Sequence, residues 1–194
     1  MIHKSDTICA LATAYGQSGI GVIRVTGPLA KSISKKILHQ DLESRYAYYG
    51  NFFDDDNNLI DKGVAISFPG PNSYTGEDVV EFQGHGGISV IRKLLETIIS
   101  LDVRLAEPGE FTKRAFLNGK MDLVQAEAVQ DLIQSNSEES ALSAVRSLTG
   151  EFSEKVNQIL SELISLRVFV EATIDFSDEE IDFLESHEVS SKLH

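Results

Sequence analysis

An α+β architecture is what the sequence predicts: a mixed α/β domain over residues 1–118, followed by the long helices of an incomplete bundle over 119–194. Three observations predict it. As far as about residue 118, short β-type runs are separated by turns marked with Gly and Pro. Within that region two segments switch to the 3,4 spacing of an amphipathic helix. After about Gly119 the strand signals stop and only helical periodicity remains.

The first strand is expected at Thr7 to Ala12, where the apolar run Ile8 to Leu11 holds the single cysteine, Cys9, in a buried structural position. Gly16, Gly19 and Gly21 precede the second, Gly21 to Val25. They lie before a strand and not between a strand and a helix, so they are no dinucleotide-binding fingerprint, and they predict a turn that brings the backbone close to a neighbour. Residues 29–39 carry Ile33, Ile37 and Leu38 on one side of a helix. Two more strands, Tyr46 to Phe53 and Gly63 to Phe68, flank the acidic, Asn-rich segment DDDNN at 54–58, a hairpin loop by its chemistry. Val79 to Gln83 alternates as a fifth strand, and Ile91, Leu94, Leu95 and Ile98 give a helix over 88–101.

Beyond Gly119, Asp122 and Gln125 form an N-cap pair. Ala126, Val129 and Ile133 begin a stripe that resumes at Ala141, Ala144, Val145 and Leu148 and ends at Gly150. Phe152, Val156, Ile159, Leu163, Leu166 and Val170 then repeat at spacings of 4 and 3. Two long amphipathic helices with one interface are an incomplete bundle and want further helices or a second subunit. The closing stretch SDEEIDFLESHE has six acids and no Lys or Arg; Ser177 with Glu180 reads as a capping box opening a third, solvated helix.

Composition narrows the function. No apolar run approaches the roughly 18 residues of a membrane span, and the N-terminal residues resemble neither a signal nor a transit peptide, so the expectation is a cytoplasmic protein with no membrane partner. A net charge of −13 argues against extended nucleic-acid binding, which needs clustered Lys and Arg; an RNA contact would be local or supplied by a partner. The Gly119-Lys120 pair is followed by Met121 and lacks a Gly five residues before Gly119, so it is not a P-loop. His85-Gly86-Gly87 resembles an esterase oxyanion loop, but no G-x-S-x-G elbow accompanies it. Glu81 and His85 would align at i,i+4 only on a helix, and their segment is a strand, so no metal site is expected there and His85 reads as a satisfied turn histidine.

The stretch PNSYTGEDVVEFQGHGG, 71–87, sets a carboxylate, Glu81, inside a strand between glycine-marked turns. Alternation puts Glu81 with Val79 and Gln83 and gives Val80 and Phe82 to the other face; Arg24 likewise sides with Val22, against Ile23 and Val25. The core can take one set, leaving Glu81 and Arg24 free to line a pocket.

DTICALAT (6–13), GIGVIRVTG (19–27), FPGPNSYTGEDVVEFQGHGG (68–87), AEPGEFTKRAFLNGKMDLVQAEAVQDLI (106–133) and EATIDFSDEEIDF (171–183) together resemble the N-terminal part of the tRNA-modification GTPase family MnmE, also called TrmE. The resemblance implies an N-terminal folate-binding and dimerisation domain, similar to the tetrahydrofolate-binding domain of aminomethyltransferases. The opening of a helical domain would follow, with the family's Ras-like G domain and terminal Cys-x-Gly-Lys tail outside this sequence; Cys9 cannot stand in for that tail cysteine. It implies a 5-formyl-tetrahydrofolate-type cofactor bound by Arg24, Glu81 and Lys120, and no catalytic residue within this stretch. A carboxylate suits the paired N–H donors of a pterin edge, and Arg24 and Lys120 suit ligand carboxylates or carbonyls. In the whole protein the family also implies GTP, Mg2+ and K+, a homodimer, the FAD-dependent partner MnmG (GidA), and modification of C5 of the wobble uridine, position 34, of tRNA; these residues alone should have no GTPase activity. Two alternatives stay open: a stand-alone folate-dependent aminomethyltransferase-like protein, and a purely structural dimerisation module that needs no polar pocket.

Overall fold

The computed structural model describes residues 6–175, and the helix start expected at Ser177 lies outside them. The chain divides into two compact units, residues 1–121 and 122–194.

The first unit is a six-stranded mixed sheet: β1 (Ile8–Leu11), β2 (Ser18–Thr26), β3 (Tyr48–Phe53), β4 (Leu59–Phe68), β5 (Val79–Gly86) and β6 (Arg104–Leu105), in the order β3-β4-β5-β2-β1-β6. All neighbours are antiparallel except β1 and β6, which run parallel. Helices α1 (Ala30–Leu38) and α2 (Ile88–Ser100) pack on one face. Their Ile33, Ile37, Ile91, Leu94 and Ile98 meet Cys9, Ile23, Val25, Phe52, Ala65, Val80 and Phe82 in one apolar cluster. The expected alternation therefore holds: Ile23, Val25, Val80 and Phe82 are fully buried, whereas Arg24 and Glu81 point to the other side of the sheet. Burial raises the Cys9 thiol to about 11, so it stays protonated and serves packing.

The glycines before β2 lie partly within it, and the close approach is at Gly21. A β-carbon there would run into Ile91 of α2 and come within 3.3 Å of the Gly86 α-carbon. The 54–58 segment forms the hairpin loop: Asp54 accepts from the Asn58 amide at 2.8 Å and from the Asp56 amide at 3.1 Å, and Asn57 takes the left-handed conformation at φ 62°. Lys93 of α2, 3.0 Å from Asp54, and the Asn58 amide hold that carboxyl down at about 2.

A third helix, α3 (Glu110–Leu117), is not visible as a hydrophobic stripe, because its buried residues are Glu110, Arg114 and Ala115. It belongs to the sheet's second face, together with the 69–78 loop between β4 and β5: Tyr74 of the loop hydrogen-bonds Thr112 of the helix at 2.9 Å, and Asn118 donates to the Thr75 carbonyl at 2.7 Å.

In the second unit, α4 (Leu123–Gln134), α5 (Glu138–Leu148) and α6 (Glu151–Asp175) follow one another. The Asp122/Gln125 pair is a reciprocal capping box, each side chain bonding the other's backbone amide at 2.8 and 2.9 Å. Ser137 and Ser140 repeat the device and split what the apolar spacing shows as one interrupted stripe into two helices. Gln125 ties α4 to the end of α5 through the Leu148 carbonyl at 2.9 Å. On α6 the expected stripe stays exposed at Phe152, Val156, Ile159, Leu163 and Val170. Among the described residues no helix is long and apolar enough to cross a membrane.

Candidate functional site

β2 and β5 are the central strands, and their register sets Arg24 directly opposite Glu81. The two side chains meet on the face away from the helical layer. Arg24 donates from Nε to Glu81 Oε1 at 2.9 Å, and its Nη2 lies 2.8 Å from the same oxygen. Both side chains are largely covered, at 26% and 16% exposure, so the pair sits in a recess and is not a solvated surface bridge. Two aromatic rings frame it: the guanidinium carbon lies 5.1 Å from the Tyr74 ring centre and 5.8 Å from that of Phe111.

The second carboxylate oxygen, Oε2, is left nearly unused. Among the described residues its one contact is a marginal 3.5 Å approach from the Gln83 amide. An ionised carboxylate can accept about four hydrogen bonds, so Glu81 keeps acceptor capacity aimed at whatever occupies the recess.

Lys120 comes from a different direction. It follows the left-handed Gly119 (φ 67°) in the turn after α3, and its amide closes that turn on the Ala115 carbonyl at 2.8 Å. The residue is exposed, and its side chain is not among the partners of Arg24 or Glu81. Gly76 of the 69–78 loop lies against it: φ is +80° there, and a β-carbon would come within 3.1 Å of Asn118 Cβ and 3.3 Å of Lys120 Cγ. The structure thus brings two of the three expected site residues into direct contact and places the third against Gly76 of the 69–78 loop, in the turn after α3.

What holds loop and helix in place is an ion network that sequence reading did not find. Arg114 of α3 donates to the Asp6 carbonyl at 2.7 Å and to its carboxylate at 2.6 Å, to Glu77 at 3.1 Å and to Glu110 at 3.1 Å. Arg104 of β6 forks onto both oxygens of Glu110, at 2.8 and 2.6 Å. Glu77 in turn accepts from Thr26 of β2, whose hydroxyl also meets that of the fully buried Thr75 at 2.6 Å. Arg104, against the opposing effect of burial, pulls the Glu110 carboxyl down to about 2, helped by the Glu107 amide and Arg114.

That depression fixes a pH dependence. Glu110 titrates near 2 when folded and near 4.5 when released, so its contribution to stability is complete above about pH 4.5 and is lost as pH falls through 2. Asp54, near 2 against 3.8, acts in the same direction. Urea midpoints measured from pH 6 to pH 2 should fall mainly below pH 4.5, and Glu110→Gln should flatten part of that fall. Parallel curves for the two proteins would rule Glu110 out as a source.

His85 closes β5 and is 73% exposed. Its ring Nδ1 lies 2.8 Å from Asp61 Oδ1, and its backbone amide donates to Asp61 Oδ2 at 2.7 Å. It is hydrogen-bonded, as the sequence suggested, but it lies within β5 and not in a turn, and its partner is on β4.

Comparison with known proteins agrees with the two-part division. The family described as GTP-binding protein TrmE N-terminus matches residues 7–120, and the MnmE helical domain matches 123–194. The chain is similar to proteins named tRNA modification GTPase MnmE. It is 60% identical over 193 residues to that of Vesicomyosocius okutanii, covering 100% of this chain and 43% of the relative. Identity is 61% over 192 residues for Ruthia magnifica, at 99% and 43% coverage, and 53% over 193 residues for Pseudomonas fluorescens, at 100% and 42%. The chain thus spans less than half the length of the curated relatives it matches.

Proposed function

Because the chain belongs to the MnmE (TrmE) family of tRNA modification GTPases, matching its N-terminal and helical domains, we propose that it is the cofactor-holding and dimer-forming part of such an enzyme, binding a 5-formyl-tetrahydrofolate-type ligand at the Arg24–Glu81 recess. The observation that carries the reading is Glu81 itself, a recessed carboxylate with one oxygen held by Arg24 and the other open. A reduced pterin presents a ring N–H beside an exocyclic amino group. One carboxylate can accept from both, and Arg24 fixes its orientation. Tyr74 and Phe111 give the recess aromatic walls suited to a flat ring. Lys120, against Gly76 of the 69–78 loop, answers the ligand's carboxylates.

The folate would supply a one-carbon unit when bound; the residues here bind it, orient it and screen it from water. In the whole protein the reading extends to GTP hydrolysis with Mg2+ and K+, cooperation with the FAD protein MnmG, and modification of C5 of the wobble uridine of tRNA, in the cytoplasm. The net charge of −13 supports leaving tRNA contact to other parts of that assembly. The stand-alone aminomethyltransferase and purely structural readings are less favoured: the family match extends into the helical domain, and a structural module has no use for a half-satisfied carboxylate in a recess.

Titration calorimetry of this 194-residue chain with 5-formyl-tetrahydrofolate tests the proposal, with light scattering at tens of micromolar for the dimer. Saturable binding by a dimeric species is expected. A folded protein that takes up no folate would end the cofactor reading, and a monomeric mass would end the dimer.

A further inference from the structure

Next to Glu81 on the same face of β5 stands Gln83, a half-buried amide with almost nothing to bind within the protein. Residues 81 and 83 alternate away from the buried Val80, Phe82 and Gly84. The Gln83 NH₂ lies 3.5 Å from Oε2 of Glu81, too far for a good hydrogen bond, and among the described residues its carboxamide makes no other. A side chain that carries both donors and an acceptor is thus left nearly unsatisfied, beside the carboxylate oxygen that Arg24 does not hold.

The strand registers set this pair among apolar neighbours. Val22 of β2 and Val64 of β4 lie directly opposite Gln83, and Ile66 of β4 lies opposite Glu81. Residues opposite one another in an antiparallel sheet share a face. Val22, Val64 and Ile66 are only partly buried, whereas Ile23, Ala65 and Phe82 of the helix-covered face are fully so. Glu81 and Gln83 therefore hold their polar ends close together on an aliphatic floor, with the Tyr74 and Phe111 rings around the neighbouring Arg24. A flat ring resting against that floor meets both polar ends with one edge.

The edge of a pterin presents, in order, a carbonyl oxygen, a ring N–H and an amino group: acceptor, donor, donor. A carboxylate answers the two donors and leaves the carbonyl without a partner. Arg24 spends Nε and Nη2 on Oε1 of Glu81, so the unspent donor on the Oε2 side is Gln83. Resting on the folate reading above, we propose that Gln83 is a further ligand-binding residue of the recess: its side-chain NH₂ donates to the pterin carbonyl beside the ring N–H, which itself donates to Oε2 of Glu81. Glu81 and Gln83 together then answer every group of the edge, and a half-buried amide that the fold leaves unused acquires its partner only with the ligand.

Calorimetry and NMR on the 194-residue chain decide it. Gln83→Met keeps length and shape and removes the donor; it should bind 5-formyl-tetrahydrofolate about three- to tenfold more weakly, the effect of one neutral hydrogen bond. Gln83→Glu cannot donate and sets a second negative charge beside Glu81, so its loss should be larger, about tenfold or more. Melting temperatures of both variants are the control for folding. In the parent, the side-chain ¹⁵N–¹H signals of Gln83, identified by their disappearance in Gln83→Met, should move when the ligand is added. Weaker binding together with that shift is the expected result. Parent-like affinity in either folded variant overturns the role of Gln83 and leaves the Glu81 site standing. Weaker binding with unmoved Gln83 signals also overturns it, because the side chain then acts only through Glu81. If the parent binds no folate, both readings fall together.

Discussion

Replacing Glu81 by Gln is expected to weaken binding of 5-formyl-tetrahydrofolate by roughly ten- to a thousandfold while leaving the fold intact. A charge-assisted hydrogen bond contributes about 1.5–3 kcal/mol, and a mismatched buried donor costs a similar amount. About 1.4 kcal/mol is tenfold in affinity. Gln keeps the shape but turns one acceptor oxygen into an NH₂ group, which would confront the pterin's own donors. The structure adds a second consequence: Arg24 loses the charge that neutralises it at 2.8 Å, and it would turn further onto Tyr74 and Phe111 or toward the ligand. Calorimetry on the two proteins reads the difference, with circular dichroism as the control for folding. Equal affinities would mean that Glu81 serves Arg24 alone, and the recess would lose its assigned ligand.

Arg114→Met should be strongly destabilising to the first unit, by roughly 3–5 kcal/mol, the usual cost of stripping one partner from a buried ion cluster. Met retains the apolar stem and removes the charge, so the loss isolates the network. Glu77 would lose its guanidinium donor, Asp6 the bonds to both its carbonyl and its carboxylate, and Glu110 would keep Arg104 and the Glu107 amide. The melting temperature should drop by roughly 10 °C or more for a unit of this size. Adding Glu77→Gln to Arg114→Met should restore part of the loss, since it removes a charge left without its partner. A loss below about 1 kcal/mol would place the cluster among surface ion pairs of little weight. Folate affinity should fall as well, because α3 carries Phe111 and the loop tied to it carries Tyr74.

Much of the fold was legible because its strands and first two helices obey simple periods. Ile23, Val25, Val80 and Phe82 alternate, and Ile91, Leu94 and Ile98 recur at helical spacing, because one face of each element is buried in the apolar layer. α3 was not legible for the opposite reason. The face it buries is Glu110, Arg114 and Ala115, a charged pair at i,i+4, and a search for apolar stripes passes over it. β6, with only Arg104 and Leu105, is too short to show any period.

The site divides along the same line. The family resemblance singled out Arg24 and Glu81, and alternation agrees in giving them the non-core face of their strands, but no local pattern says that they face each other, since 57 residues separate them and only the β2–β5 register joins them. Tyr74 and Phe111 were missed because each sits in an irregular or uncalled segment, and Asp61 because its partner His85 lies across a strand pair.

The Arg114 network also dictates an order of events in biosynthesis. It joins Asp6 to a residue 108 positions later, and β1 acquires its parallel neighbour only when Arg104 and Leu105 arrive. A nascent chain that has emerged only as far as α2 already holds both helices of the apolar layer, yet Asp6 and Glu77 have no cation to meet. Contacts so distant in sequence form slowly, because loop closure must precede any gain from them. The first unit is therefore expected to stay open on the ribosome until α3 has left the exit tunnel, and its 69–78 loop, and so the recess beside Glu81, is completed by the same late event.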